Sequence, residues 1–216
     1  MMSGKVTLMD YGMCNLLSVA RAFEYCGAEI DITEDPAVVL KAEKLVVPGV
    51  GSFRDSVREV EARGFGDAIR RFIETGRPFL GICVGMQMLF ETSEEFGDHA
   101  GLGVFAGRVM ALPRVNTDGV VQRIPHIGWN HLVAPETGRS WNGSFLNEFE
   151  GAHPAFYFVH SFAAIPDDPA ICLADTVYGG HRICAAVQKE NIVATQFHPE
   201  RSGELGLTLV RHFISM

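Results

Sequence analysis

The sequence contains no uninterrupted apolar run of about 18 residues, so nothing in it is built to cross a bilayer as a helix. Positive charge is scarce: 18 Lys and Arg stand against 26 Asp and Glu, a formal net charge of −8, which argues against a nucleic-acid or anionic-membrane surface. There is no C-x-x-C pair. The five cysteines (Cys14, Cys26, Cys83, Cys172 and Cys184) are odd in number and widely spaced, the pattern of free thiols in a reducing compartment and not of a disulfide framework. The opening Met1-Met2-Ser3-Gly4-Lys5 runs directly into strand-like residues with no secretory h-region or cleavage site, so a cytoplasmic location is expected. Neither His153 nor His160 has ligand partners at metal-site spacing, and no metal and no cofactor is expected. Internal repeats, low-complexity tracts and linkers are also missing, and 216 residues suit one domain spanning 1–216.

What is present is an alternation. Residues 5–9 read as an apolar strand, Asn15 as the cap of a helix, and Leu16, Val19, Ala20, Phe23 and Cys26 as that helix's apolar face, stopped by Gly27. Further strands are predicted at 28–32, 44–47 and 78–82, with helix over 54–75 broken near Gly64 and Gly66. Strand and helix in turn over the first ninety or so residues imply a parallel sheet covered by helices on both faces. After Thr92 the texture changes. Strands are predicted at 104–112, 120–123, 128–134, 156–161, 170–177, 182–188 and 192–197, closely spaced and mostly without helices, and a closing helix over 203–214 carries Leu205, Leu209 and Phe213. The expected fold class is therefore α/β, an open, mixed, mostly parallel sheet with helices on both faces plus antiparallel strand additions in the C-terminal half.

The chain is organised around Gly81-Ile82-Cys83-Val84-Gly85, between a short apolar strand and an apolar segment read as helix. G-x-C-x-G is the nucleophile-elbow pattern with Cys in place of Ser. A nucleophile on a sharp strand-to-helix turn sits on strained backbone, and side chains two positions away would strike the neighbouring elements, so glycine belongs there. A helix following the turn would aim free N–H groups at the sulfur. Taken alone, the pattern fits a buried Cys in a Gly-containing turn equally well.

A cysteine nucleophile needs a base, and the base an orienting group. Gln196-Phe197-His198-Pro199-Glu200 follows an apolar strand, Pro199 favours an extended His198, and residues i and i+2 of an extended chain point the same way, so Glu200 can lie beside the imidazole. The candidate triad is Cys83, His198 and Glu200. One oxyanion donor is expected from the Val84 N–H and a second from Pro48-Gly49-Val50-Gly51-Ser52, where two glycines allow close backbone approach. A phosphate cradle is disfavoured there, because the Lys and Ser/Thr of a P-loop are absent.

These motifs resemble those of the class I, triad-type glutamine amidotransferases. Gly81 to Gln87 matches the nucleophile motif, Phe197-His198-Pro199-Glu200 the His-Pro-Glu motif, and Pro48-Gly49-Val50-Gly51 the oxyanion strand. More narrowly, Asp10-Tyr11-Gly12-Met13-Cys14-Asn15-Leu16, Pro125-His126-Ile127-Gly128-Trp129-Asn130 and His198-Pro199-Glu200-Arg201-Ser202-Gly203 resemble the glutaminase subunits of imidazole glycerol phosphate synthase, over nearly the whole chain. The resemblance implies a flavodoxin-like sheet and hydrolysis of L-glutamine through a Cys83 thioester. It implies an oxyanion hole from Val50, Gly51 and Val84, and substrate contacts from Gln87 and from the backbone of His160, Ser161 and Phe162. It also implies a separate (β/α)8-barrel cyclase/synthase subunit that receives the ammonia, met at Asn15, Trp129, Asn130 and Arg201. Two positions depart from the family pattern. Cys14 stands where glycine is usual, and Arg201 where many members have Lys, which changes the geometry of any ion pair made there.

Other features read as plain structure. Cys14, Cys26, Cys172 and Cys184 suit small apolar fillers. Gly101 to Ala106 matches G-x-G-x-x-A but precedes a strand, and Asn142-Gly143-Ser144 suits a turn. Competing readings are the same chemistry serving another synthase, in surface-sugar or pyridoxal phosphate synthesis, a non-catalytic scaffold, and a peptide-directed cysteine hydrolase.

Overall fold

The computed structural model describes residues 4–216; Met1, Met2 and Ser3, part of the opening stretch read above as leaderless, lie outside the described residues. The first half alternates as the sequence predicts: β1 (Lys5–Met9), α1 (Leu16–Tyr25), β2 (Glu29–Thr33), α2 (Pro36–Val39), β3 (Leu45–Gly49), α3 (Phe53–Ala62), α4 (Phe65–Glu74), β4 (Phe79–Cys83) and α5 (Val84–Gln87). The second half is strand-rich: β5 (Phe90–Ser93), β6 (His99–Ala100), β7 (Phe105–Ala111), β8 (His126–Val133), β9 (Ala155–His160), β10 (Phe162–Pro166), β11 (Cys172–Tyr178), β12 (His181–Lys189), β13 (Ile192–Thr195) and the closing α6 (Gly203–Ser215).

Nine strands form one sheet in the order β2-β1-β3-β4-β13-β12-β11-β8-β9. The stretch from β2 to β13 is parallel throughout, and the remaining pairings are antiparallel. Burial follows from this division. Every residue of β3 and β4 is buried, as parallel strands covered on both faces must be, whereas β8 alternates between buried and open positions. The helices supply the cover: Phe23 of α1 meets Phe213 of α6 edge to face at 6.1 Å, and Val60, Ile69 and Phe72 of α3 and α4 are fully buried.

Several expectations need correction. A second, four-stranded sheet, β10-β7-β5-β6, stands apart from the first, and β5, β6 and β10 lie where no strand was predicted. The apolar segment after Cys83 makes only one helical turn before β5 begins; an apolar run that short has no period to separate helix from strand. Residues 120–123 form no strand beyond a single bridge between Val115 and Val121, because Val120 and Val121 lie in the open with nothing packed over them. Asn15 occupies the cap position of α1, but its side chain accepts no cap bond. Leu205 of α6 is exposed, leaving Leu209 and Phe213 to face the core.

Candidate active site

The site lies at the C-terminal ends of three adjacent parallel strands. β4 ends on Cys83, paired in register with Gly49 at the end of β3, and Thr195 of β13 pairs with Ile82 on the other side. Cys83 has φ 56° and ψ −111°, a backbone conformation that costs a non-glycine residue about 1–3 kcal/mol. The flanking glycines are sterically required. A Cβ on Gly85 would sit 1.9 Å from the Val47 carbonyl oxygen, and one on Gly81 would sit 2.8 Å from that of Gly85. The elbow therefore exists as strained backbone held between two strands.

His198 leaves β13 in an extended conformation, φ −102° and ψ 96°, as a residue before proline does. Its main chain is tied down on both sides: His198 N–H donates to Tyr157 O at 2.9 Å, and Ser202 Oγ donates to His198 O at 2.6 Å. Its Nδ1 meets Glu200 Oε1 at 2.8 Å, both side chains being almost fully buried. Nε2 has no hydrogen-bond partner, and neither does Glu200 Oε2. Burial pushes the imidazole's pKa down, but Cys83 and Glu200 together outweigh it and raise the ring to about 10. Both partners thus favour the protonated ring, which has one nitrogen free beside the sulfur.

A cavity of about 160 Å³ opens over these groups, lined by Val50, Gly51, Cys83, Val84, Gln87, Glu95, Val159, His160, Ser161, Phe162 and His198. Two larger clefts, of about 780 and 760 Å³, lie away from Cys83, so size does not pick the site. The small volume suits an amino-acid-sized ligand and not a peptide chain. Gln87 Nε2 donates to Phe162 O and to Gln196 Oε1, each at 2.9 Å, and Gln196 Nε2 lies 3.6 Å from Cys83 Sγ.

Two site residues escape the sequence. Gln196, fully buried, reaches the sulfur from the last turn before His198; its place directly after a buried strand was the available signal. Glu95 puts a carboxylate into the cavity and accepts from the Phe53 N–H at 2.5 Å; a lone acidic residue in a charged loop carries no signal at all.

The oxyanion expectation needs amendment. Val50 N–H donates to Met13 O at 3.0 Å, so it is not free to face Cys83 in this conformation, whereas Val84 heads a helical turn, where the N–H has no intrahelical acceptor. α5 has four residues, too short for its dipole to dominate the sulfur's surroundings.

The residues expected at a partner face separate into two kinds. Trp129 is 57% exposed, packs edge to face on Tyr157 at 6.4 Å, and Arg201 stacks over the same ring at 4.4 Å. Asn15 is exposed at the start of α1. Asn130 differs: Nδ2 bonds Val177 O and His126 Nε2, and Oδ1 accepts from the His131 N–H, so its polar atoms are engaged within the chain. Burial pushes the Cys14 thiol up to about 11; Cys172 and Cys184 pack into the core, but Cys172 Sγ also reaches Asp175 Oδ1 at 3.2 Å and Cys184 Sγ at 3.6 Å, which an apolar filler would not do. Among the described residues, no three His, Cys, Asp or Glu side chains are grouped to hold a metal ion.

A buried cysteine, a histidine oriented by a carboxylate and a cavity of this size fit an acyl-transfer site. The family described as Glutamine amidotransferase class-I matches residues 7–215, and the chain belongs to it. Within that class the chain is similar to proteins named imidazole glycerol phosphate synthase subunit HisH. It is 45% identical over 211 residues to subunit HisH 1 of Legionella pneumophila (strain Lens), covering 98% of this chain and 99% of that protein. It is 48% identical over 209 residues to subunit HisH of Geobacter metallireducens, covering 96% of each. Among solved structures, PurLQS from Thermotoga maritima superposes with a TM-score of 0.72 at 21% identity, covering 99% of both chains, a likeness of fold.

Proposed function

We propose that this chain, acting as one domain over residues 1–216, is the glutaminase subunit of an imidazole glycerol phosphate synthase in histidine biosynthesis. The observation that carries the reading is the convergence of Cys83 and of His198, held from behind by Glu200, on one small cavity, in a chain whose relatives bear that name over nearly their whole length. The Cys83 thiolate attacks the side-chain carboxamide of L-glutamine, and the oxygen that takes up the negative charge is held by the Val84 N–H. His198 gives its proton to the departing nitrogen, ammonia leaves, and a γ-glutamyl thioester remains on Cys83. His198, now neutral, takes a proton from water, the hydroxide attacks the thioester, and glutamate leaves with the thiolate restored. Glu200 holds the ring so that Nε2 faces the reaction. Gln87 and the His160–Phe162 backbone line the space for the amino-acid end, and the Glu95 carboxylate suits its ammonium group.

The second oxyanion donor comes from the Val50–Gly51 segment once Val50 N–H leaves Met13 O. A separate (β/α)8-barrel cyclase/synthase subunit drives that change and receives the ammonia, combining it with a phosphorylated ribulosyl aminoimidazole carboxamide nucleotide to give imidazole glycerol phosphate and aminoimidazole carboxamide ribotide. Trp129, Arg201 and Asn15 are the contacts we assign to it, and the cytoplasm is the compartment we assign to the pair.

The test is Cys83→Ala in the reconstituted complex. Glutamine-dependent synthesis should vanish while ammonia-dependent synthesis continues, followed by glutamate release and by product absorbance. A variant that still releases glutamate would refute the nucleophile assignment.

A further inference from the structure

β8 and β9 pair antiparallel at the edge of the large sheet, with His126 opposite His160 and Trp129 opposite Tyr157. One face of the pair carries the exposed Trp129 with Tyr157. The other carries a polar line, its two histidines buried, that runs from the cavity wall at His160 away from the triad. Along it, Asn130 Nδ2 lies 3.3 Å from His126 Nε2, His126 Nδ1 lies 3.0 Å from His160 Nε2, and His160 Nδ1 lies 2.9 Å from Phe162 O. Both rings are buried, and His126 is sandwiched between Phe158 and Tyr178, ring centroids 4.9 and 4.1 Å away.

The direction of every bond in this line follows from its two ends. The Phe162 carbonyl can only accept, so His160 carries its hydrogen on Nδ1. In a neutral ring Nε2 then accepts, so His126 donates from its own Nδ1, and its Nε2 must accept from Asn130. The far end agrees independently. Asn130 Nδ2 also faces the Val177 carbonyl at 2.9 Å, and Oδ1 accepts from the His131 N–H at 2.8 Å, which fixes the amide's orientation. Burial holds both rings neutral, pushing His126 down to about 4 and His160 to about 3. At the near end the Phe162 carbonyl accepts a second bond, from Gln87 on the cavity wall.

We infer that His126 and His160 are positioning residues of the amide-cleaving site, two neutral Nδ1–H rings that with Asn130 form a one-way hydrogen-bond relay setting the Phe162 carbonyl and, through it, Gln87. The inference rests on the reading of Cys83 as the nucleophile of a glutaminase. Its consequence is that the glutamine-binding wall is aligned from β8, the strand whose opposite face presents Trp129.

Two variants separate the relay from simple packing. His126→Phe keeps the stack between Phe158 and Tyr178 and removes the donor. His126→Asn forfeits the stack but puts an amide N–H where Nδ1 was. Assayed as the complex at saturating partner, His126→Phe should raise KM for glutamine about ten-fold, the cost of leaving His160 Nε2 buried and unpaired, with kcat within a few-fold of wild type. His126→Asn should recover most of that loss. Phe performing as well as Asn, or better, would make the ring a packing element and overturn the relay. Nitrogen-15 spectra of the histidine-labelled full chain test it without any substitution. Both rings should carry hydrogen on Nδ1 at neutral pH; either one as the Nε2–H form or as a cation overturns the inference. Failure of the parent reading looks different, since the wild-type complex would then hydrolyse no glutamine.

Discussion

The strain at Cys83 can be weighed by exchanging the side chain for two that both lack the thiol. At φ 56° and ψ −111° an alanine keeps its Cβ in a region L residues avoid, and the expected cost is about 1–3 kcal/mol. Glycine carries no such cost, but it loses about 0.5–1 kcal/mol relative to alanine through the greater freedom of the unfolded chain. At an ordinary strand or helix position the second term alone operates and alanine is the more stable. Here the difference should invert, with Cys83→Gly more stable than Cys83→Ala by up to about 2.5 kcal/mol. Neither variant has a nucleophile, so the comparison is free of any effect of turnover. Guanidinium unfolding followed by tryptophan fluorescence and circular dichroism is sufficient. With slopes of a few kcal/mol per molar, the glycine variant's midpoint should lie a few tenths of a molar higher. A midpoint higher for alanine, by the ordinary 0.5–1 kcal/mol or so, would mean that the elbow stores no strain.

Two further expectations concern the cavity walls. Gly51 has φ +96°, and a Cβ there would meet only Met13 Cε at 3.4 Å, so Gly51→Val opposes the backbone angle more than it crowds at Cβ. Glutamine turnover in the complex should fall at least ten-fold while the chain still folds cooperatively; unchanged turnover would reduce 48–52 to a plain turn. His160 is buried neutral with a pKa of about 3, below the usual histidine value of about 6.5. The unfolded chain therefore binds a proton first as pH falls, and stability is lost below about 6.5, by about 2 kcal/mol between pH 7 and pH 5 from this ring. Urea midpoints at the two pH values, for wild type and His160→Asn, check this. An identical pH dependence in the variant would contradict it.

The parallel half of the fold was readable because buried strands of five residues alternate with helices ended by glycine, as at Gly27 and Gly64. The triad was readable for a related reason. A nucleophile at an elbow, and a histidine two residues before a glutamate beyond a proline, are fixed by local backbone geometry. What stayed hidden depends on partners distant in sequence. Phe90–Ser93 is apolar at its start and becomes a strand only because Phe105–Ala111 lies beside it. Gln196 and Glu95 enter the site by reaching across the fold; only Gln196's place after a buried strand marks it locally, and nothing marks Glu95. Asn130 looked like a surface residue next to Trp129, but a strand turns neighbouring side chains to opposite faces, and Asn130 faces inward. Whether the Val50 N–H faces a ligand or Met13 is a choice of loop conformation that composition does not encode.

The neighbours of β4 also bear on how the chain is made. Phe79 pairs with Ile192, so the base is brought beside the nucleophile by a contact spanning more than half the chain. During synthesis at several residues per second, a nascent chain that already displays the elbow has no β13, no His198 and no wall from β9. The thiol thus waits without an acid or base until the last strand inserts between β4 and β12. On the roles proposed above, amide cleavage has to await β13, and incomplete chains that lack it cannot release ammonia.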